Sequence, residues 1–94
     1  MFYMYVLRCK GGSLYTGYTN NIEKRVKAHE SGTASKYTRS RLPVRLVYSR
    51  KYETKSLAMK AEAAFKKLPR TEKLRHLRSS GKFLKRLTQL VRGP

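Results

Sequence analysis

The stretch YMYVLRCKGGSLYTGYTNNIEKRVKAH, residues 3–29, decides the fold. Phe2 to Arg8 is rich in aromatic and β-branched residues, and both alternating sets, Phe2/Met4/Val6 and Tyr3/Tyr5/Leu7, are apolar. A strand with two apolar faces is covered on both, so this segment reads as a central strand. Lys10, Gly11, Gly12 and Ser13 form a turn and Leu14 to Thr19 resumes β character, which makes a hairpin. Tyr5 and Tyr15 then stand across from each other on paired strands. Gly17 interrupts the second strand, where a missing side chain predicts a bulge or a close approach by another backbone or a ligand. Asn20 begins a helix, with Glu23 in a capping-box position, and Ser31 with Gly32 stops it. With Ile22 pointing inward, a turn of roughly 100° per residue puts Arg25 and His29 on one edge of the buried stripe.

Downstream, Thr33 to Leu42 reads as a Ser/Thr/Arg-rich loop containing KYTRSR. After Pro43, the alternating Val44, Leu46 and Tyr48 mark a third strand over Val44 to Lys51. Thr54 or Ser56 caps a long helix with the apolar stripe Leu57, Ala61, Ala64, Phe65 and Leu68, ending at Pro69, and Glu62 lies beside that stripe. The pattern is helical again from Thr71, with Leu74 and Leu77. Gly81 breaks it, and Phe83, Leu84, Leu87, Leu90 and Val91 make a final basic amphipathic helix. The order is β-β-α-β-α with additional C-terminal helices. It predicts a single α+β domain over residues 1–94, with a core at about 2–68 and a basic helical extension at about 70–92.

Composition narrows the function. With 23 Lys and Arg against five acids, the 94 residues carry a net charge of +18, which points to a polyanionic partner, nucleic acid first. An apolar fraction of 39% and ten aromatics exclude a disordered basic tail. All five acids are glutamates, which rules out any Asp-cluster mechanism and argues against a two-metal site. One cysteine and two histidines cannot build a disulfide framework or a four-ligand zinc site, so the cytoplasm is the expected compartment. The apolar start MFYMYVL fails as a signal peptide and as a membrane span, so no membrane partner is expected.

Phosphodiester hydrolysis needs a group that takes a proton from water or orients it, a cation on the developing charge, and a carboxylate to hold a metal ion. Tyr5 and Tyr15 suit the first task, since a positive surround favours the phenolate. Arg25 suits the second. Glu62 is reached by elimination: Glu23 caps a helix, Glu30 lies at a helix end, Glu53 just precedes a helix, and Glu72 sits in a first turn. A one-carboxylate site suits one magnesium or manganese ion. Each assignment has a plain rival. The tyrosines could be ordinary sheet aromatics, His29 a packing histidine, Arg25 a solvated charge, and Glu62 half of an i,i+4 pair with Lys66.

The same run resembles the opening of a GIY-YIG nuclease domain. Met4-Tyr5-Val6 stands at the GIY position and Tyr15-Thr16-Gly17 at YIG, followed in order by Arg25, His29, KYTRSRLPVRLVY and Glu62 with FKKL. The resemblance covers about residues 2–68. It is strongest to the small stand-alone bacterial members (UPF0213-like), which are similar to the nuclease module of the structure-specific endonuclease Slx. Met4 and Val6 replace the motif's Gly and Ile, which changes packing more than chemistry, and the polar residue, often Asn, that many members carry after the glutamate helix has no assigned counterpart.

The resemblance implies a three-stranded antiparallel sheet flanked by helices. It implies Tyr5 and Tyr15 as general base and water-positioning group in either order, Arg25 on the phosphate, His29 near the nucleophile, and Glu62 on a magnesium or manganese ion. The loop residues Lys36, Tyr37, Thr38, Arg39 and Arg41 combine charge with an aromatic, as a nucleic-acid contact surface does, with a solvated loop as the plain rival. The expected function is a metal-dependent DNA endonuclease, a monomer or weak homodimer, selective for structure rather than sequence or guided by a partner protein. The alternative is a nucleic-acid-binding module, for DNA or RNA, with weak or no cleavage.

Overall fold

The computed structural model describes residues 1–78. Strands β1 (Phe2–Arg8), β2 (Leu14–Thr19) and β3 (Arg45–Tyr52) form one antiparallel sheet in the order β2-β1-β3. β1 is therefore central, and Val6 and Leu7 on its two faces are wholly buried. On one face, Tyr5, Leu7, Cys9 and Val44 pack with Tyr15, Leu42, and Ile22 and Val26 of α1 (Ile22–Glu30). On the other, Met4, Val6 and Tyr48 pack with Phe65 of α3 (Lys55–Lys66). One helical turn, α2 (Lys36–Arg39), interrupts the segment expected to be a loop, and residues 70–78 are helical. His76 in that last run stands edge-on to Tyr48 and Phe65, with ring centroids at 5.4 and 5.7 Å. The amphipathic helix expected around Phe83 to Val91 lies outside the described residues. Among the described residues, no helix is long and apolar enough to cross a membrane.

The α+β architecture agrees with the sequence reading, and the departures lie in register. The hairpin connection contains a one-turn 3₁₀ helix, Lys10–Gly12, with Gly11 and Gly12 at φ of 85° and 92°. Tyr5 thereby pairs with Gly17 and Leu7 with Tyr15, so the two tyrosines are diagonal neighbours on one face rather than direct partners. A bulge shifts β3 as well: Val6 pairs with Tyr48 but Leu7 with Leu46, leaving Val47 as the extra residue. The parity of the strand flips there. Val44 joins the α1 side, Tyr48 the α3 side, and Leu46 is exposed, contrary to the simple alternation.

The helices differ in detail too. The N-cap of α1 is Asn21, whose side chain accepts from the Lys24 N–H at 3.1 Å, so the capping box expected from Asn20 does not form. Glu23 instead lies in the first turn, where it favours the dipole. Thr54 caps α3, accepting from the Leu57 N–H at 3.2 Å. The face α3 buries contains Ala58 and Phe65, while Leu57 and Ala64 turn outward.

Candidate active site

The sheet and its two covering helices leave a cleft of about 380 Å³ beside β2. Tyr5 of β1, Tyr15 and Gly17 of β2, Arg25 of α1, and Lys55 and Glu62 of α3 line it. Residues far apart in the chain are thus brought to one place, because α1 covers one face of the sheet and α3 the other.

Gly17 makes room for this arrangement. It pairs with Tyr5 without a bulge, and a Cβ there would stand 2.5 Å from the Tyr5 hydroxyl oxygen and 2.7 Å from its Cζ. The space left by the missing side chain is taken not by the expected bulge or second backbone but by the Tyr5 phenol, which crosses over Gly17.

Beyond Gly17 the Tyr5 hydroxyl lies 2.9 Å from Nε2 of His29. His29 is wholly buried, so it is the best-covered residue of α1 rather than an edge of its stripe, while Arg25 is exposed. The other ring nitrogen, Nδ1, lies 2.8 Å from Oγ1 of Thr38, also wholly buried. Ser35, the N-cap of α2, completes the row. Its Oγ accepts from the Thr38 N–H at 3.2 Å and stands 2.9 Å from Thr38 Oγ1, which in turn donates to the Ser35 carbonyl at 3.4 Å. One assignment of hydrogens satisfies every member: Tyr5 O–H donates to Nε2, Nδ1–H donates to Thr38 Oγ1, and Thr38 O–H donates to the Ser35 carbonyl.

Electrostatics supply the charge states that this assignment needs, a neutral imidazole and a neutral phenol. Burial, and after it the Arg25 guanidinium, hold the His29 imidazole below its ordinary value, so it is neutral at pH 7. Burial, with Tyr15 and Glu62 adding to it, pushes the Tyr5 phenol far up, and Arg25 opposes this without reversing it. The resting phenolate expected from the positive surround is therefore corrected for Tyr5. Removing the ring from water outweighs one nearby cation, and the group rests as a phenol.

Around this row the other expected residues take clear places. Tyr15 is half-buried, its ring 6.5 Å from that of Tyr5, 5.0 Å from His29 and 5.8 Å from Tyr37. Tyr37 is exposed and carries the Arg41 guanidinium 3.8 Å from its centroid. Arg41 also donates to the Tyr37 carbonyl at 3.0 Å, which leaves Lys36 and Arg39 as the freer cations of that segment. Glu62 lies in the cleft with Lys66 Nζ at 3.6 Å, the i,i+4 partner anticipated as its rival role. The Lys66 side chain is more than half exposed, so the contact is easily given up. Thr38, read from the sequence as part of the contact loop, is instead wholly buried on His29, because α2 turns it inward from among its charged neighbours. Lys55, one of many lysines, escapes a sequence reading.

A fold of this kind around a paired-tyrosine cleft defines a class. A family model of the GIY-YIG catalytic domain matches residues 1–75. The chain belongs to the GIY-YIG family, a family of nuclease domains. Within it the chain is similar to small bacterial UPF0213 proteins. That of Bacillus licheniformis is 59% identical over 75 residues, spanning 80% of this chain and 77% of the relative. That of Streptococcus sanguinis is 53% identical over 76 residues, spanning 81% and 87%. The solution NMR structure of a UPF0213 protein from Bacillus halodurans superposes with a TM-score of 0.61 at 42% identity, covering 96% of this chain and 97% of that one.

Proposed function

We propose that the chain is a divalent-metal-dependent endonuclease that hydrolyses DNA phosphodiester bonds, selecting DNA structure rather than sequence. The observation that carries this reading is the buried row Tyr5, His29, Thr38, Ser35 opening on a cleft lined by Arg25 and Glu62. A row of satisfied polar groups in a small core has no packing advantage over apolar residues, whereas it is a ready path for a proton.

The proton path follows from the resting states. Water in the cleft gives a proton to the Tyr5 hydroxyl oxygen while the phenol passes its own to Nε2 of His29. The imidazolium so formed keeps its Nδ1–H on Thr38, and the hydroxide attacks phosphorus. Tyr15, half-buried beside Tyr5, orients the water. Arg25 stabilises the charge that develops on the phosphate oxygens, and the departing oxygen takes its proton from solvent.

Glu62 is the carboxylate in the cleft, and among the described residues no group of three or more His, Cys, Asp or Glu side chains could enclose a metal ion. One carboxylate fits magnesium or manganese, which keep water and phosphate oxygens as remaining ligands, and does not fit zinc. Such an ion, when bound, supplies charge neutralisation at the reacting phosphate. Selection of structure is supported by the exposed Tyr37, its ring tilted against Tyr15 and topped by the Arg41 guanidinium, a planar cation on which an unpaired base can stack.

The test is cleavage of labelled single-stranded, duplex, flap and four-way-junction DNA, with single-stranded RNA alongside, in magnesium, manganese or EDTA. Metal-dependent nicking that disappears in Glu62→Ala while binding persists is the expected result. Salt-sensitive binding without cleavage of any substrate would instead make the protein a nucleic-acid-binding module.

A further inference from the structure

At the far end of β1 from the cleft, the hairpin connection and the start of β3 enclose a second cavity of about 490 Å³. Arg8, Lys10 and Arg45 line it together with Gly11 and Gly12, and it shares no lining residue with the cleft. Arg70 reaches in from the helical run at 70–78, donating from Nη2 to the Gly12 carbonyl at 3.1 Å. That point lies close to both guanidinium groups: a Cβ on Gly12 would be 3.8 Å from Nη2 of Arg70 and 3.8 Å from Nη2 of Arg8.

The arrangement is more specific than a basic surface. Arg8 and Arg45 are direct partners on neighbouring antiparallel strands, and like charges placed directly opposite each other destabilise a sheet. Among the described residues no carboxylate relieves them. No glutamate lines the cavity, and the ion pairs among the described residues are Glu62 with Lys66 and Glu72 with Arg75. Arg8, Lys10 and Arg45 line the cavity with Arg70 at its rim beside Gly12, and an anion held there would reverse the cost of setting Arg8 opposite Arg45.

We propose that this hairpin-end cavity is a second binding site for the phosphodiester backbone of the nucleic acid, separate from the cleft where cleavage occurs. The proposal rests on the nuclease reading and deepens it. Tyr5 and Arg8 lie three residues apart on β1, about 10 Å at the usual rise per residue, a distance spanned by roughly three phosphates of one strand. A duplex segment held at Arg8, Lys10, Arg45 and Arg70 is thereby anchored away from the reacting phosphate, and the site contributes to binding and not to the chemical step.

The test compares Arg45→Glu with Lys60→Glu, which makes the same change in net charge on the exposed surface of α3. Binding of a fluorescein-labelled DNA duplex is followed in EDTA over a series of potassium chloride concentrations, together with thermal melting of the free protein and cleavage rate at saturating DNA. In Arg45→Glu the new carboxylate faces Arg8, so melting temperature holds or rises. Affinity falls relative to Lys60→Glu, and the salt slope becomes shallower by about one, as expected for one lost phosphate contact. The saturated cleavage rate stays at the wild-type level.

Lys10→Gln, off the β-ladder, gives a second reading with a smaller loss in the same direction. Affinity and slope in Arg45→Glu equal to those of Lys60→Glu, with Lys10→Gln equal to wild type, would overturn the proposal while leaving the nuclease reading intact. Absence of DNA binding by the wild type would remove both.

Discussion

Among single residues, Gly17 and Thr38 carry the sharpest consequences. Gly17→Ala drives a methyl group into the Tyr5 ring, which is buried and tied to His29, so the phenol must leave its place. The expected loss is about 1–3 kcal/mol of stability, read by denaturant melts, with cleavage falling further than stability explains. Thr38→Val leaves Nδ1 of His29 buried without its partner, a loss of about 1–3 kcal/mol, whereas Thr38→Ser retains the hydroxyl and restores both stability and rate. A ¹⁵N NMR spectrum of the histidines adds a direct readout, since the Nδ1–H form assigned to wild-type His29 should give way to a mixture in Thr38→Val. Tyr5, Tyr15, Arg25, His29 and Glu62 were legible as candidates because the chemistry restricts the residue types and their order matches a known motif set. Thr38 was not, because a buried threonine inside KYTRSR has no sequence signal separating it from the exposed residues around it.

At the scale of elements, types and order followed from the sequence, and the errors came from parity and phase. In β3 one bulge residue, Val47, reversed which alternating set faces which helix, and a period-two pattern cannot reveal where an extra residue enters. In α3 two apolar rows four and three residues apart compete, Leu57/Ala61/Ala64/Phe65 and Ala58/Ala61/Phe65, and Ala58 wins because it is fully buried where Leu57 remains exposed. The two rows predict different mutational patterns. Leu57→Ala should change stability by no more than about 0.5 kcal/mol, while Phe65→Ala should cost about 3–5 kcal/mol, measured by urea denaturation. Such a loss takes most of the stability of a domain this small. Removing the α3 cap with Thr54→Ala should cost about 1 kcal/mol, or roughly 4–8 °C in melting temperature, and loosen the helix that presents Glu62.

The whole molecule is held under two opposed constraints, a net charge of +18 and a small core through which a polar row runs. The row makes stability pH-dependent in a defined sense. His29 binds its proton less readily folded than unfolded, so the unfolded chain takes up more protons as pH falls, and stability is present above the ordinary histidine value near 6.5 and lost below it. Tyr5 acts at the other end, because its folded form holds a proton that the unfolded form gives up near pH 10, so stability also declines in strong alkali. Melting temperature against pH should therefore fall below about pH 6.5 in the wild type and fall less steeply in His29→Gln. Charge and composition pointed to a polyanion from the first, yet they distinguish binding from cleavage no better than a basic peptide does. The geometry around Tyr5 is what separates them. Single-turnover cleavage of the preferred DNA in magnesium by Tyr5→Phe, with binding measured in parallel, tests that geometry most directly. The expected rate is lower by about 10²–10⁴-fold with affinity unchanged, the usual weight of a general base, and a Tyr5→Phe rate equal to wild type would remove Tyr5 from the chemical step.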